Sequence, residues 1–146
     1  MSVLAMIVAA LIFIPLLAAG VAHLLWALGA TWPIRDRLLL AQTVVGTPGV
    51  TRMPNRFLTL IVAIAILAAG VLALSLADQS SGGMLLTGAG VVLALLFVTR
   101  GIVGFTPVWR NRFPTEPFAA LDRKTYSPLI LIIGIGFLIL VILRLT

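Results

Sequence analysis

The sequence predicts an all-α membrane protein in which four transmembrane helices form an antiparallel bundle with two longer interfacial connections. The stretches 1–34, 57–77, 79–99 and 125–143 carry no charged residue, and roughly 18 uncharged apolar residues suffice to cross a bilayer as a helix. Hydrophobic residues make up 62% of the chain and charged residues 10%, whereas a soluble domain has about 25% charged residues. The 146 residues are therefore expected to form a single membrane domain, 1–146.

The first predicted span covers residues 3–28. Pro15 lies in its middle and is expected to kink the helix, which membrane helices tolerate. Trp26 and Trp32 lie near its end, and Trp is enriched at membrane interfaces. The segment lacks a basic N-terminal region, and its apolar run is too long for a signal peptide. We therefore predict a retained span.

The connection over residues 29–56 is longer than the joining of two spans requires. Arg35, Asp36 and Arg37 precede three leucines at 38–40, a pattern typical of an amphipathic segment that lies in the interface. Gly and Pro then occur between β-branched residues over 44–50. This predicts a tight turn there, with a small β-hairpin as one form of it.

The second and third predicted spans cover residues 57–77 and 84–104. The turn between them is very short, so the two helices are expected to be antiparallel neighbours. Small residues let membrane helices approach closely. The candidate glycines for such helix contacts are Gly88, Gly90, Gly101, Gly104, Gly134 and Gly136.

The connection over residues 105–125 leads into the fourth predicted span, residues 126–143. Thr115 is expected to cap a short interfacial helix that carries Phe118 and Leu121. Ser127 and Pro128 suit the N-cap and the first helical position of the span. Each half of the chain thus consists of a span, a long basic connection and a second span. A parallel internal duplication is one hypothesis for this similarity.

Lys and Arg are distributed unevenly between the two sides of the predicted bundle. The first long connection carries four of them, the second carries five with Arg100 counted, and the turn at 78–83 carries none. Arg144, in the C-terminal tail, is the tenth. Because basic residues in short loops favour the cytoplasmic side, we predict cytoplasmic long connections and both termini outside.

Polar residues collect at the cytoplasmic end of this bundle. His23 shares a helix face with small residues and with Trp26, at spacings of three and four. Arg100 lies at the end of span 3, and Asp122 lies one turn before Tyr126 at the start of span 4. Their common depth predicts a polar pocket made by His23, Trp26, Arg100, Asp122 and Tyr126.

These residues also have a structural interpretation, in which they bind no ligand. In that interpretation His23 is a hydrogen-bond partner between helices. Arg100 snorkels to the interface or pairs with Asp122, and Tyr126 is an interfacial anchor.

Several chemistries lack the residues that they need. One histidine and no cysteine cannot make an ordinary zinc site within one chain, and no acid lies mid-span to serve a proton-coupled transporter. No phosphate-binding glycine loop is present. We therefore expect no catalytic residue, no metal and no cofactor. The basic connections alternate with prolines and interfacial anchors, which favours the lipid bilayer over nucleic acid as a partner.

Two separated signatures resemble those of a known family. One is HLLWALG, which starts at His23 and is followed by Trp32; the other is LDRKTYSPL, which starts at Leu121 and is followed by Gly134 and Phe137. An Arg-Gly pair at 100–101 also fits. The family consists of small four-span bacterial membrane proteins and is known only as a domain of unknown function. The resemblance covers nearly the whole chain, and it implies four helices and the bacterial inner membrane, but no activity.

Three functional hypotheses follow from these observations. The first is a non-enzymatic accessory or scaffolding protein that contacts a membrane-protein partner or a second copy of itself through glycine-bearing helix faces. The second is a protein that binds a lipid, a quinone or another amphipathic molecule, with His23 as donor or proton relay and Arg100 holding an anionic group. The third and weakest is a small-solute transporter.

Overall fold

The computed structural model describes residues 2–146, whose regular elements are all helical. Four helices are long and apolar enough to cross a membrane, which confirms the all-α, four-span prediction. The fourth of them, Phe118–Leu145, is a continuous helix that includes one π-helical turn. In chain order the elements are α1 (Val3–Ala27), α2 (Arg37–Val44), α3 (Arg56–Ala77), α4 (Gly83–Val103), α5 (Pro107–Arg112), α6 (Phe118–Leu121), the π-turn (Asp122–Tyr126) and α7 (Ser127–Leu145).

The bundle consists of two helix pairs. Helix α1 packs along α3, α4 packs along α7, and contacts between α1 and α7 join the pairs. Helices α3 and α4 do touch, as the short turn predicts, but this interface is small. Because lipid is as apolar as the core, close packing rather than exclusion of water stabilises these contacts. The largest buried apolar side chains are Leu16, Leu40, Leu76, Phe137 and Leu140.

Glycines set the distance between α4 and α7. A Cβ atom on Gly134 would lie 2.6 Å from the backbone nitrogen of Val98, and one on Gly101 would lie 2.7 Å from the Cα of Leu131. Backbone cannot move aside as a side chain can, so both positions require glycine. Gly90, Gly104 and Gly136 also face tightly packed neighbours, namely Leu76 and Val141, Ser127, and Ile12 respectively.

Gly88 does not share this role. A Cβ atom there would meet nothing within 4 Å, and the residue is exposed. Of the six candidate contact glycines, five therefore pack inside the bundle and Gly88 lies on its outer face. Gly88 makes no helix contact within this chain, because its face of α4 points away from the other helices, and a contact of Gly88 with another chain stays a prediction.

The entry into the fourth span also differs from the prediction. Ser127 has helical dihedrals and is not an N-cap, because the helix already runs through the π-turn before it. The backbone N–H of Ser127 donates to the carbonyl of Asp122, five residues earlier. Pro128 has no N–H, and its ring would clash with the carbonyl four residues before it in a regular helix. The wider turn accommodates this proline, and such π-turns are frequent at functional sites.

The two long connections hold short helices and irregular turns. Residues 44–50 form a turn with Gly49 at φ 72°, and no β-strand occurs in residues 2–146, so the hairpin prediction is wrong. The N-cap prediction for Thr115 is wrong as well. Its hydroxyl donates to the carbonyl of Thr47 at 2.8 Å, whereas the carboxylate of Glu116 accepts from the N–H of Ala120 at 3.1 Å.

At the opposite end of the bundle, Arg144 joins the last helix to the turn between α3 and α4. Its guanidinium donates to the carbonyls of Asp78 and Ser81, each at 2.6 Å, and to the hydroxyl of Thr87 at 3.1 Å. The last carbonyls of a helix have no partner within that helix. Arg144 also donates to one of these at the end of α3, the carbonyl of Leu76, at 3.4 Å. The sequence had marked this arginine only as a charge in the C-terminal tail.

The same turn is tied internally by Asp78. The hydroxyl of Ser80 donates to its Oδ1 at 2.6 Å, and this hydrogen bond lowers the pKa of the Asp78 carboxyl below its ordinary value. A carboxyl with a lowered pKa stabilises the fold above its ordinary pKa, and this stabilisation is lost as the pH falls through the lowered value. The contribution of this hydrogen bond to the turn is therefore expected to be lost as the pH falls below the ordinary pKa of an aspartate.

Replacing Arg144 by Met should loosen this end of the bundle. The substitution leaves the carbonyls of Asp78 and Ser81 without their charged donor, and we expect it to destabilise the fold by about 1–3 kcal/mol. Unfolding of the detergent-solubilised protein measures the effect. Arg112→Met, at an exposed position outside this network, is the matched control. Equal stability of the two variants would contradict the structural role of Arg144.

Candidate functional site

The two long connections meet at the end of the bundle opposite to Arg144. Helix α2 contacts α6, and the backbone N–H of Thr115 donates to the carbonyl of Gly46 at 3.4 Å. The hydroxyl of Tyr126 donates to the carbonyl of Thr43 at 3.2 Å. These contacts link the first half of the chain (α1–α3) to the second half (α4–α7) and build a polar layer over the helices.

Asp122 is the centre of this layer and is only 2% exposed. Its Oδ1 accepts from Arg100 at 2.7 Å. Its Oδ2 accepts from the indole N–H of Trp109 at 3.0 Å and from the hydroxyl of Ser127 at 3.1 Å. A buried charge is costly unless it is paired and hydrogen-bonded, and these three donors meet that requirement.

Local backbone structure places each of these donors. A π-helical turn holds more residues than an α-helical turn. Asp122, at the start of the π-turn, and Ser127, directly after it, therefore share a face although they are five residues apart. Trp109 lies in the short helix α5, which begins after Thr106, whose hydroxyl accepts from the Trp109 backbone N–H at 3.3 Å. Arg100 comes from the last turn of α4. Three separate elements therefore converge on one carboxylate.

Arg100 is held on a second side by the Trp109 ring. Its guanidinium carbon lies 4.0 Å from the ring centroid, a cation–π contact, and another of its N–H groups donates to the Ser127 hydroxyl at 3.2 Å. The predicted pairing of Arg100 with Asp122 is present. Sequence reasoning missed Trp109 and Ser127 as their partners, although the indole N–H of Trp109, in the same connection as Asp122, was a usable signal.

His23 has a defined orientation on α1. Its Nδ1 lies 2.7 Å from the carbonyl oxygen of Ala19; because a carbonyl oxygen only accepts, Nδ1 carries the hydrogen. The other nitrogen, Nε2, is then a hydrogen-bond acceptor in the neutral ring. The ring packs against Trp26 with centroids 4.8 Å apart, and the Trp26 indole N–H donates to the carbonyl of Trp32 at 2.6 Å.

A cavity of about 360 Å³ lies between the two halves at this end. His23 and Trp26 form one wall and Arg100 with Trp109 another, and the remaining lining is mostly apolar. The further lining residues are Val44, Val45, Gly46, Met53, Pro54, Leu58, Thr59, Val62, Phe113 and Phe118. We call this space the His23 cavity.

A larger cleft of about 760 Å³ lies beside the end of α1 and the first connection. It shares Trp26, Met53 and Pro54 with the His23 cavity, so the two spaces adjoin. We call it the arginine cleft, because its lining includes Arg37, Arg52 and Arg56. The remaining lining residues are Gly29, Ala30, Thr31, Leu40, Thr51 and Asn55.

The predicted pocket is therefore assembled in part. His23, Trp26 and Arg100 line one cavity, and Asp122 lies behind Arg100 as its counter-ion. Tyr126 is turned elsewhere: its ring lies 5.8 Å from that of Phe118, and its hydroxyl bonds to Thr43. This hydrogen bond joins the two halves of the chain and explains the position of Tyr126. Tyr126 does not line the His23 cavity.

Comparison with known proteins bears on the chain as a whole. The family described as "Protein of unknown function (DUF3995)" matches residues 16–137. This range runs from within α1 to within α7, and it contains both cavities and the Asp122 network. No curated protein and no solved structure matches the chain.

Proposed function

The chain belongs to the DUF3995 family, whose function is unknown, and we propose from the site itself that it binds an amphipathic small molecule, such as a lipid or a quinone. The His23 cavity would hold this molecule between the two halves. The proposal is one of binding without turnover. Acid–base catalysis needs titratable groups that are free to exchange protons with a ligand, and the carboxylate nearest to the cavity, Asp122, is already held by Arg100, Trp109 and Ser127.

One observation carries this proposal: the His23 cavity is mostly apolar and contains a few converging polar groups. Small-molecule sites are typically apolar clefts of about 300–1,000 Å³ with a few polar groups that orient the ligand. Val62 and Leu58 line the cavity and are 43% and 58% exposed. The cavity is therefore open beside α3, and in this proposal a molecule dissolved in the bilayer enters there.

The polar groups of the cavity have distinct roles in the proposal. His23 packs against Trp26, which lines both spaces, and offers Nε2 to a hydroxyl or another donor in the polar part of the ligand. Arg100, whose charge Asp122 already balances, stiffens the wall together with Trp109 and is a positioning residue. This differs from the initial hypothesis that Arg100 holds an anionic group, because two of its N–H groups already serve Asp122 and Ser127.

The test is to fill the cavity from its open side. Val62→Trp should displace the bound molecule, and we expect solvent-extractable lipid or quinone that co-purifies in mild detergent to fall by roughly tenfold or more, as for any loss of ~1.4 kcal/mol of binding. Val71→Trp is the matched control, because Val71 is 60% exposed on the same helix and does not line the cavity. Equal retention by both variants, or no bound amphiphile in the wild type, would refute the proposal.

We further propose that the protein lies in the bacterial inner membrane with the arginine cleft and the His23 cavity on the cytoplasmic side. The support is the distribution of basic residues, nine of which belong to the end where the long connections meet. Alkaline phosphatase fused after Gly82 should be active, and the same enzyme fused after Arg56 inactive. The opposite pattern would reverse the orientation.

An accessory role is the second candidate, and the outer face around Gly88 favours it. The open space at Gly88 would admit the backbone of a second copy or of another membrane protein. Gly88→Leu should then reduce the fraction of oligomer or co-purified partner measured by native mass spectrometry. An unchanged assembly would remove this candidate and leave ligand binding.

A further inference from the structure

We propose that the arginine cleft binds the phosphate group of an anionic lipid while the lipid's apolar part occupies the adjoining His23 cavity. The inference rests on the proposed function and narrows its ligand to an anionic phospholipid. It assigns Arg37, Arg52 and Arg56 as the residues that select the headgroup. None of them contacts the Asp122 network.

The three arginines come from different places in the chain and face one cleft. Arg37 is the first residue of α2, Arg56 is the first residue of α3, and Arg52 lies in the connection between them. Guanidinium groups bind phosphate through paired N–H donors, which is why arginine predominates at phosphate sites. Three of them around one space make a stronger anion site than the same charges scattered over a surface.

In the part of the chain that the structure describes, no carboxylate lines the cleft or forms an ion pair with these arginines. Within residues 2–146 the ion pairs of 4.0 Å or less are Arg100–Asp122 and Arg123–Glu116. The nearest acid in sequence, Asp36, uses its carboxylate to cap α2 by accepting from the N–H of Leu39 at 2.8 Å. The cleft therefore carries a net positive charge that a bound anion would neutralise.

Gly29 leaves room for the Arg56 guanidinium. A Cβ atom at this position would lie 2.7 Å from one terminal nitrogen of Arg56, and Gly29 has φ 92°, a conformation that favours glycine. The guanidinium thus lies beside the backbone that follows α1, at the edge of the cleft.

The geometry of the two spaces matches one amphipathic molecule. They share Trp26, Met53 and Pro54 as lining residues and therefore lie side by side, so a molecule that reaches past these three residues would occupy both. A lipid with a phosphate at one end and acyl chains at the other has this order of polar and apolar parts. Free phosphate would use the cleft but leave the cavity empty.

The experiment measures lipid retention by native mass spectrometry in a neutral detergent. The probes are dioleoylphosphatidylglycerol, which is anionic, dioleoylphosphatidylcholine, which is zwitterionic, and dioleoylglycerol, which has no phosphate. We expect wild-type protein to retain the anionic lipid about tenfold more than the zwitterionic one. The double variant Arg52→Gln/Arg56→Gln should lose this preference and retain dioleoylglycerol unchanged.

The matched control is Arg35→Gln/Arg112→Gln, which removes the same charge at exposed positions outside both spaces. It should keep the wild-type preference. If both double variants lose the preference equally, net charge and not the cleft selects the lipid, and the inference is wrong. Equal wild-type retention of the anionic and zwitterionic lipids would also overturn it, while leaving the proposed function intact.

Inorganic phosphate separates the two sources of the anion. If phosphate alone raises the unfolding temperature in an Arg52- and Arg56-dependent way and no lipid preference exists, the cleft binds free phosphate and the lipid inference fails. If wild-type protein retains none of the three amphiphiles, the lipid inference fails, and the proposed function fails with it only when no quinone or other amphiphile co-purifies either.

Discussion

Replacing Asp122 by Ala should destabilise the protein more than any other single removal of a polar side chain. The substitution leaves Arg100 unpaired and removes the acceptor for Trp109 and Ser127. Breaking a buried pair costs about 3–5 kcal/mol. We expect about 3 kcal/mol, because a quarter of the Arg100 side chain is exposed, 25% against 3% for Asp122.

Unfolding in mixed detergent micelles, followed by helical circular dichroism, measures this loss. Arg123→Gln is the control, since its pair with Glu116 spans 3.8 Å and both side chains are about half exposed, 47% and 59%. Exposed pairs of this kind contribute roughly 0–1 kcal/mol. If the two variants lose equal stability, the Asp122 network does not hold the end of the bundle together.

A double substitution distinguishes pairing from simple loss of a side chain. Replacing a buried ion pair by apolar residues of similar size is often neutral or stabilising. Arg100→Met combined with Asp122→Leu should therefore recover much of the stability that Asp122→Ala loses. A double variant that is as unstable as both single losses added together would contradict an ion-pair mechanism.

Gly134→Leu should separate α4 from α7 and disrupt the second half of the bundle. The new side chain would meet the backbone nitrogen of Val98 at 2.6 Å and the carbonyl carbon of Phe97 at 3.0 Å. Neither can move without the helix that carries it. Overpacking costs about 1–3 kcal/mol, occasionally more, and contact with backbone places this variant at about 3 kcal/mol or above.

Two glycines provide graded comparisons for this prediction. Gly136 faces the side chain of Ile12 rather than backbone, so Gly136→Leu should cost less than Gly134→Leu. Gly88→Leu, in open space, should change stability by less than about 0.5 kcal/mol. His23→Ala should also cost less than Gly134→Leu, because His23 bonds within its own helix. A reversed order of unfolding midpoints would show that close approach at Gly134 is not limiting.

Much of the fold could be predicted from the sequence. Uncharged runs of bilayer length identified all four spans, and their boundaries agree with α1, α3 and α4 to within about two residues. The fourth helix begins at Phe118 and not at residue 126 as predicted, because Ser127 and Pro128 have the pattern of a helix start. That pattern cannot reveal a preceding helix that continues into them through a π-turn.

The site could be predicted only in part. The positions of His23, Arg100 and Asp122 in the sequence predict that all three lie at one end of the bundle. Pairing of Arg100 with Asp122 was one of the structural interpretations of these residues. Depth carries no information about rotation around the helix axis, which is why Tyr126 was assigned to the pocket although it bonds to Thr43. The arginine cleft depends on the path of an irregular connection, for which the sequence offers no periodicity.

The sequence by itself determined the spans, the clustering of basic residues at one end and the shortage of catalytic groups. These properties follow from length, composition and charge, because a bilayer requires apolar runs long enough to cross it and an uneven distribution of basic residues between its two sides. Only the tertiary structure decided which helices pair, which glycines face a backbone and which donors surround Asp122. It also decided that Arg144, at the opposite end, donates to the carbonyls of the turn between α3 and α4. Such choices depend on the shapes of packed surfaces between residues far apart in the chain, because lipid gives no hydrophobic preference for one helix partner over another.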